Sequence, residues 1–148
     1  MAMNTQKVLV GGLAAGVVLN VIDFITNTYI LGDRMAAEMN AVAPGLADKM
    51  MTGGMIATYV IMDFVIGILL VWLYAAIRPR FGPGPKTAVY GGLFVWVVFG
   101  LAYLGYLFSG MMSGATWVMA SVIALINVLL ASWLGARIYT EEGAASVM

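Results

Sequence analysis

The stretch Met55–Ile77, MIATYVIMDFVIGILLVWLYAAI, decides the fold. Its 23 residues carry one charge, Asp63. About 20 apolar residues in a helix cross the hydrocarbon core of a bilayer. A run of this length is too long for a barrel strand, and in lipid a helix satisfies its own backbone polar groups. Three further runs read the same way: Val8–Leu31, Ala88–Phe108 and Trp117–Ile138. The expectation is an all-α, polytopic membrane protein, one four-helix transmembrane bundle over residues 1–148.

Turns fall between these runs. Gly32–Gly54 is the longest, Arg78–Lys86 is rich in Pro and Gly, and Ser109–Thr116 is short and uncharged. Gly32–Gly54 is expected to hold a short surface helix. Asp33 would cap it, Met35, Met39 and Val42 would share a face, and Pro44-Gly45 would end it. Lys7 and the run after it resemble the start of a signal peptide. However, the run continues past Asp23 to Leu31 without a small-residue cleavage site, so a retained helix is expected.

Composition agrees. Of the chain's 148 residues, 63% are hydrophobic and 9% charged, against about 25% charged in soluble domains. Seven basic and seven acidic residues cancel, leaving no overall basic field for nucleic acid. Cysteine and histidine are absent. That removes disulfides, thiol nucleophiles, thiolate metal sites and histidine acid–base chemistry. No cofactor is expected.

Lys and Arg give the orientation. Lys7, Arg78, Arg80, Lys86 and Arg137 fall on the side shared by the two ends of the chain, against Arg34 and Lys49 on the other. The positive-inside rule places both ends in the cytoplasm of a cell whose inner membrane holds the protein.

A weak internal repeat is also visible. Gly11-Gly12-Leu13 with Val17-Val18 returns 80 residues later as Gly91-Gly92-Leu93 with Val97-Val98. Trp72-Leu73, Ala75 and Ile77 return 61 residues later as Trp133-Leu134, Ala136 and Ile138. A two-plus-two parallel pseudo-repeat would produce this pattern.

The chain resembles a domain-of-unknown-function family of small four-helix bacterial integral membrane proteins. The residues that carry the likeness are Gly91-Gly92-Leu93-Phe94-Val95-Trp96, the span exit Tyr106–Gly110, and the small residues of Leu134-Gly135-Ala136. The resemblance implies a four-helix membrane fold and no established activity.

Two charged residues, Asp23 and Asp63, lie well inside spans. Ionisable groups there are costly and point to function. Asp23 lies eight residues before Leu31 and Asp63 eight after Met55, so both carboxyls are expected about 12 Å below one boundary at a rise of about 1.5 Å per residue. Two close carboxyls in low dielectric cannot both ionise cheaply. Asn20, Asn27, Tyr59 and Asn127 are the candidate partners in a proton- or cation-binding site. The plainer alternative is that both acids are neutral, hydrogen-bonded to Asn or Tyr, and only hold helices together. Gly12, Gly16, Gly67, Gly92 and Gly100 lie on small or polar stripes expected to pack helices. With no His and no Glu inside a span, a di-metal site is not expected. The flanks Ile22-Asp23-Phe24 and Met62-Asp63-Phe64 lack a Gly-Asp protease signature, so no enzyme activity is expected.

Eight of the twelve methionines map to the outer loops or outer span ends. Thioethers select Cu(I), which makes Met50, Met51, Met111 and Met112 candidates for copper, against a purely packing role. The leading expectation is a non-enzymatic protein acting through its helix faces, as a homo-oligomer or an accessory subunit of a larger membrane assembly. The alternative is a small proton- or cation-coupled transporter or channel using Asp23 and Asp63.

Overall fold

A computed structural model describes residues 3–140. The described residues form six α-helices: α1 (Thr5–Ile25), α2 (Gly32–Val42), α3 (Leu46–Met50), α4 (Gly53–Phe81), α5 (Pro85–Phe108) and α6 (Gly114–Ile138). α1 runs on through a π-helical turn, Thr26–Ile30. With that turn, α1 and each of α4, α5 and α6 are long and apolar enough to cross a membrane. They pack as a bundle, and α2 and α3 lie at one end of it. That end is called here the α2 end, and the other the Pro83 end.

Local chemistry sets the helix starts. The side chains of Asn4, Thr52 and Ser113 accept from the backbone N–H of Lys7, Met55 and Thr116 at 3.0, 3.4 and 3.3 Å, capping orphan donors in the first turns of α1, α4 and α6. Pro85 opens α5 at a position where its missing N–H costs nothing. Asp33, expected to cap α2, stands instead in its first turn, and Leu31 occupies the cap position. The π-helical turn feeds α1 directly into α2, so no extended residue precedes α2 for a side-chain cap to use.

The turn expected over Arg78–Lys86 is shorter than its composition suggested. α4 continues through Pro79 to Phe81 and ends at Gly82, whose φ of 82° is open to glycine and costly for other residues. Only three residues, 82–84, connect α4 to α5. Proline loses one hydrogen bond in the last turn of a helix, and the glycine that follows makes the break.

α1 packs between α4 and α6, and α5 packs chiefly on α6. Glycines allow the closest approaches. A Cβ on Gly12 would stand 2.5 Å from Ile68 Cα, and one on Gly16 would stand 2.8 Å from Phe64 Cα. A Cβ on Gly67 would collide with Gly12 O and Gly16 N. On the other side of α1, a Cβ on Gly11 would stand 2.8 Å from Gly135 O. This backbone-to-backbone seam is the small-residue packing that replaces the hydrophobic effect inside lipid.

The repeat offsets map contacts onto contacts. Gly12 meets Ile68, and 80 and 61 residues on, Gly92 meets Leu129, a Cβ there standing 3.6 Å from its Cα. Asn20 Nδ2 donates to Val60 O at 3.3 Å, and Trp96 Nε1 donates to Ser121 O at 2.9 Å, the carbonyl 61 residues further on. Positions 16 and 96 are Gly and Trp, and positions 20 and 100 are Asn and Gly. The donor has moved down one turn between the halves, and a longer side chain reaches the equivalent carbonyl. Two contacts of the α1–α4 pair thus recur at these offsets in the α5–α6 pair.

Gly100 departs from its expected packing role. Nothing lies within 4 Å of where its Cβ would stand. One turn earlier on α5, the Trp96 indole is the group that reaches the Ser121 carbonyl of α6.

Candidate functional site

The two intramembrane acids sit toward the α2 end, on adjacent helices. Asn127, buried on α6, joins α6 to α1: its Nδ2 donates to Asp23 Oδ1 at 2.7 Å and to Leu19 O at 3.3 Å. Its Oδ1 is buried and accepts no hydrogen bond from any described residue. Asp63, on α4, is half-buried and within electrostatic reach of Asp23. Among the described residues it has no hydrogen-bond partner. The pair therefore differs in kind: Asp23 is held, and Asp63 is not.

The other sequence candidates distribute differently. Asn20 donates to Gly16 O and Val60 O, so it serves the α1–α4 seam rather than a carboxylate. Asn27 Nδ2 donates to the backbone O of Asp23 at 2.9 Å, bonding within its own helix. Tyr59 is 39% exposed and stands in the same electrostatic neighbourhood as Tyr103 and the two acids. Tyr103 and Tyr106 of α5 belong to that neighbourhood too, with ring centroids 5.4 Å apart. Neither tyrosine was singled out as a site residue from the sequence, although Tyr103 falls on the α5 stripe of Gly92, Trp96 and Gly100.

The site is open toward lipid. All fully buried residues of α5 lie at its Pro83 end (Thr87, Ala88, Gly91 and Gly92), and Gly105, like Gly100, has open space around it. α4 is exposed or half-exposed from Gly53 to Met62. Contacts of α5 with α4, such as Phe81 on Tyr90 and Leu73 beside Gly91, sit at the Pro83 end. The seam between α4 and α5 is thus loose near Asp63, whereas the matching seam between α1 and α6 is closed.

A second polar constellation, unforeseen from sequence, lies at the α2 end. Glu38 of α2 reaches the start of α6. Its Oε2 accepts from Ser113 N at 3.0 Å, and its Oε1 accepts from Ser113 Oγ and Thr116 Oγ1, each at 2.7 Å. Arg34 Nε adds a contact at 3.4 Å. Burial pushes the Glu38 carboxyl up, but hydrogen bonds from Ser113, Thr116 and Arg34 outweigh it and hold the group at about 2. The positive end of the α6 dipole favours the anion as well. Arg34 also lies 3.9 Å from the Met119 sulfur.

Among the described residues, no three His, Cys, Asp or Glu side chains gather as metal ligands. Of the four methionines considered for copper, Met112 is buried, Met51 exposed, and Met50 and Met111 half-buried. Met50 closes α3 and Met51 follows it, whereas Met111 and Met112 lie between α5 and α6.

Four apolar spans in one bundle define a multi-pass integral membrane protein. No family model, no curated protein and no solved structure matches the chain. The resemblance drawn from short motifs therefore extends to the four-helix membrane layout and identifies no family.

Proposed function

We propose that the protein is a small, non-enzymatic, proton- or cation-coupled transporter whose site is Asp23, Asp63 and Asn127. One observation carries this reading: Asp63 stands inside a span, beside a second carboxyl, with no hydrogen bond to any described residue. Acids that only tie helices together should be satisfied by interhelical donors, as Asp23 is by Asn127. An acid left without a donor, in low dielectric, is paired with a proton or a cation. The orphan Asn127 Oδ1 adds one more acceptor to the same region. Asp23 and Asn127 serve as a fixed wall, Asp63 as the exchanging group, and Tyr59, Tyr103 and Tyr106 as the lining toward lipid. With both ends of the chain on the cytoplasmic side of the inner membrane, as the basic residues favour, the site faces the outer leaflet.

Reconstitution tests the reading. Liposomes clamped with potassium and valinomycin, with an imposed pH gradient and sodium or tetraphenylphosphonium as the test cation, should lose that gradient faster with the wild-type protein than without it. Asp63→Asn should return the rate to that of empty liposomes while leaving the size-exclusion profile unchanged. An Asp23→Asn/Asp63→Asn protein with wild-type flux would refute it.

A second reading is favoured by Gly100 and Gly105, small residues with open space beside them on α5. Such residues suit close approach of another helix, so the chain also fits a homo-oligomer or an accessory subunit of a larger assembly. Gly100→Leu/Gly105→Leu would then break the assembly. The acid variants would not.

A further inference from the structure

The Pro83 end holds a cavity of about 270 Å³ where the last turns of α4 and α6 meet the start of α5. Arg78, Arg137, Trp133, Tyr139, Tyr74 and Gly84 contribute to its wall. We infer that this cavity binds the phosphate of an anionic phospholipid headgroup, a site separate from the acids at the other end of the bundle.

Charge is the first argument. By sequence this end carries five basic residues, Lys7, Arg78, Arg80, Lys86 and Arg137, against two acidic ones, Glu141 and Glu142, which lie outside the described residues. The described acids lie in the spans, Asp23 and Asp63, or on α2 and α3, Asp33, Glu38 and Asp48. Basic pockets between transmembrane helices at a membrane face take lipid phosphates. A guanidinium fork matches the phosphate oxygens in charge and geometry.

Preorganisation is the second. The Arg137 guanidinium lies 4.2 Å from the Trp133 ring centroid and that of Arg78 5.6 Å from the Tyr139 centroid. Tyr139 packs edge-on against Tyr74, centroids 6.0 Å apart. The Tyr74 hydroxyl accepts from Gly84 N at 3.0 Å, which ties the loop to the wall. Both cations are thus positioned on rings before a ligand arrives, so little side-chain entropy is lost on binding.

Position selects the source. The cavity lies at the ends of three spans, where headgroups lie, and Trp and Tyr are the residues that settle at that level. A lipid phosphate is presented there by the leaflet itself, whereas dissolved phosphate must compete with water for the same guanidinium groups.

Native mass spectrometry of the detergent-purified full chain tests the inference, with phosphatidylglycerol, phosphatidylcholine or inorganic phosphate added. We expect one phosphatidylglycerol retained in preference to phosphatidylcholine, and about tenfold weaker retention in Arg137→Gln, the loss that one charged hydrogen bond implies. Arg137→Lys, which keeps the charge and loses the fork, should fall between. Arg80→Gln, outside the cavity, should bind as the wild type does. Equal retention of the two lipids, or wild-type retention in Arg137→Gln, would overturn the inference. Displacement of phosphatidylglycerol by millimolar inorganic phosphate would overturn the lipid source.

Discussion

At the scale of single residues, glycine placement makes the sharpest claim. Gly67 has backbone of α1 where a Cβ would go, and Gly100 has open space. The same substitution should therefore have opposite signs. Gly67→Ala forces the α1–α4 seam apart, at a cost of roughly 1–3 kcal/mol for overpacking. Gly100→Ala relieves a helix of glycine and should be neutral or stabilising by about 0.5–1 kcal/mol. Thermal unfolding in detergent of the two variants beside the parent checks this, and equal shifts would contradict the packing described. The Gly12–Gly16 stripe was legible in the sequence because spacing alone puts both on one face. Gly100 was misleading for the same reason, since spacing does not show whether a neighbouring helix comes within reach of it. Asn127 was legible as a partner, being a polar residue inside a span. That Asn20 and Asn27 would bond backbone carbonyls was not, because an amide's choice between a carbonyl and a carboxylate depends on helix crossing geometry.

At the scale of elements, α2 is latched to α6 chiefly through the Glu38 side chain. Glu38 is held at about 2, below its ordinary 4.5. A carboxyl with a depressed value contributes its full stabilisation above the ordinary value and loses it as pH falls through the depressed one. The α2 latch should therefore be intact at neutral pH, weaken below about 4.5, and be lost as pH passes about 2. Near neutral pH, hydrogen exchange over 32–42 should quicken about fivefold in Glu38→Gln, the equivalent of about 1 kcal/mol once solvent screening is discounted. Exchange over 117–138 should not change. Exchange over 32–42 as slow as in the parent would show that other contacts hold the helix. The sequence foretold a helix in this loop from its apolar periodicity. It did not foretell the latch: Glu38 and Ser113 are 75 residues apart, and a capping serine looks the same whether a carboxylate or water satisfies the helix start.

At the scale of the whole molecule, the four spans pack with one seam closed and one loose. The closed seam, α1 with α6, is where Asn127 holds Asp23, and the loose one, α4 with α5, leaves Asp63 near lipid. The four spans were legible because hydropathy and length are properties of contiguous sequence. The unequal seams were not, because they follow from which small residues face each other across the bundle. The account rests on Asp63 being an exchangeable carboxyl and Asp23 a fixed one. Labelling with a hydrophobic carbodiimide, which reacts with protonated carboxyls reached from lipid, separates the two. Peptide mapping should find the adduct on Asp63 and not on Asp23, with a yield that falls as pH rises and falls again when a competing cation such as sodium or tetraphenylphosphonium is added. Adduct on Asp23 and Asp63 alike, or an Asp63 yield indifferent to pH and cations, would contradict it.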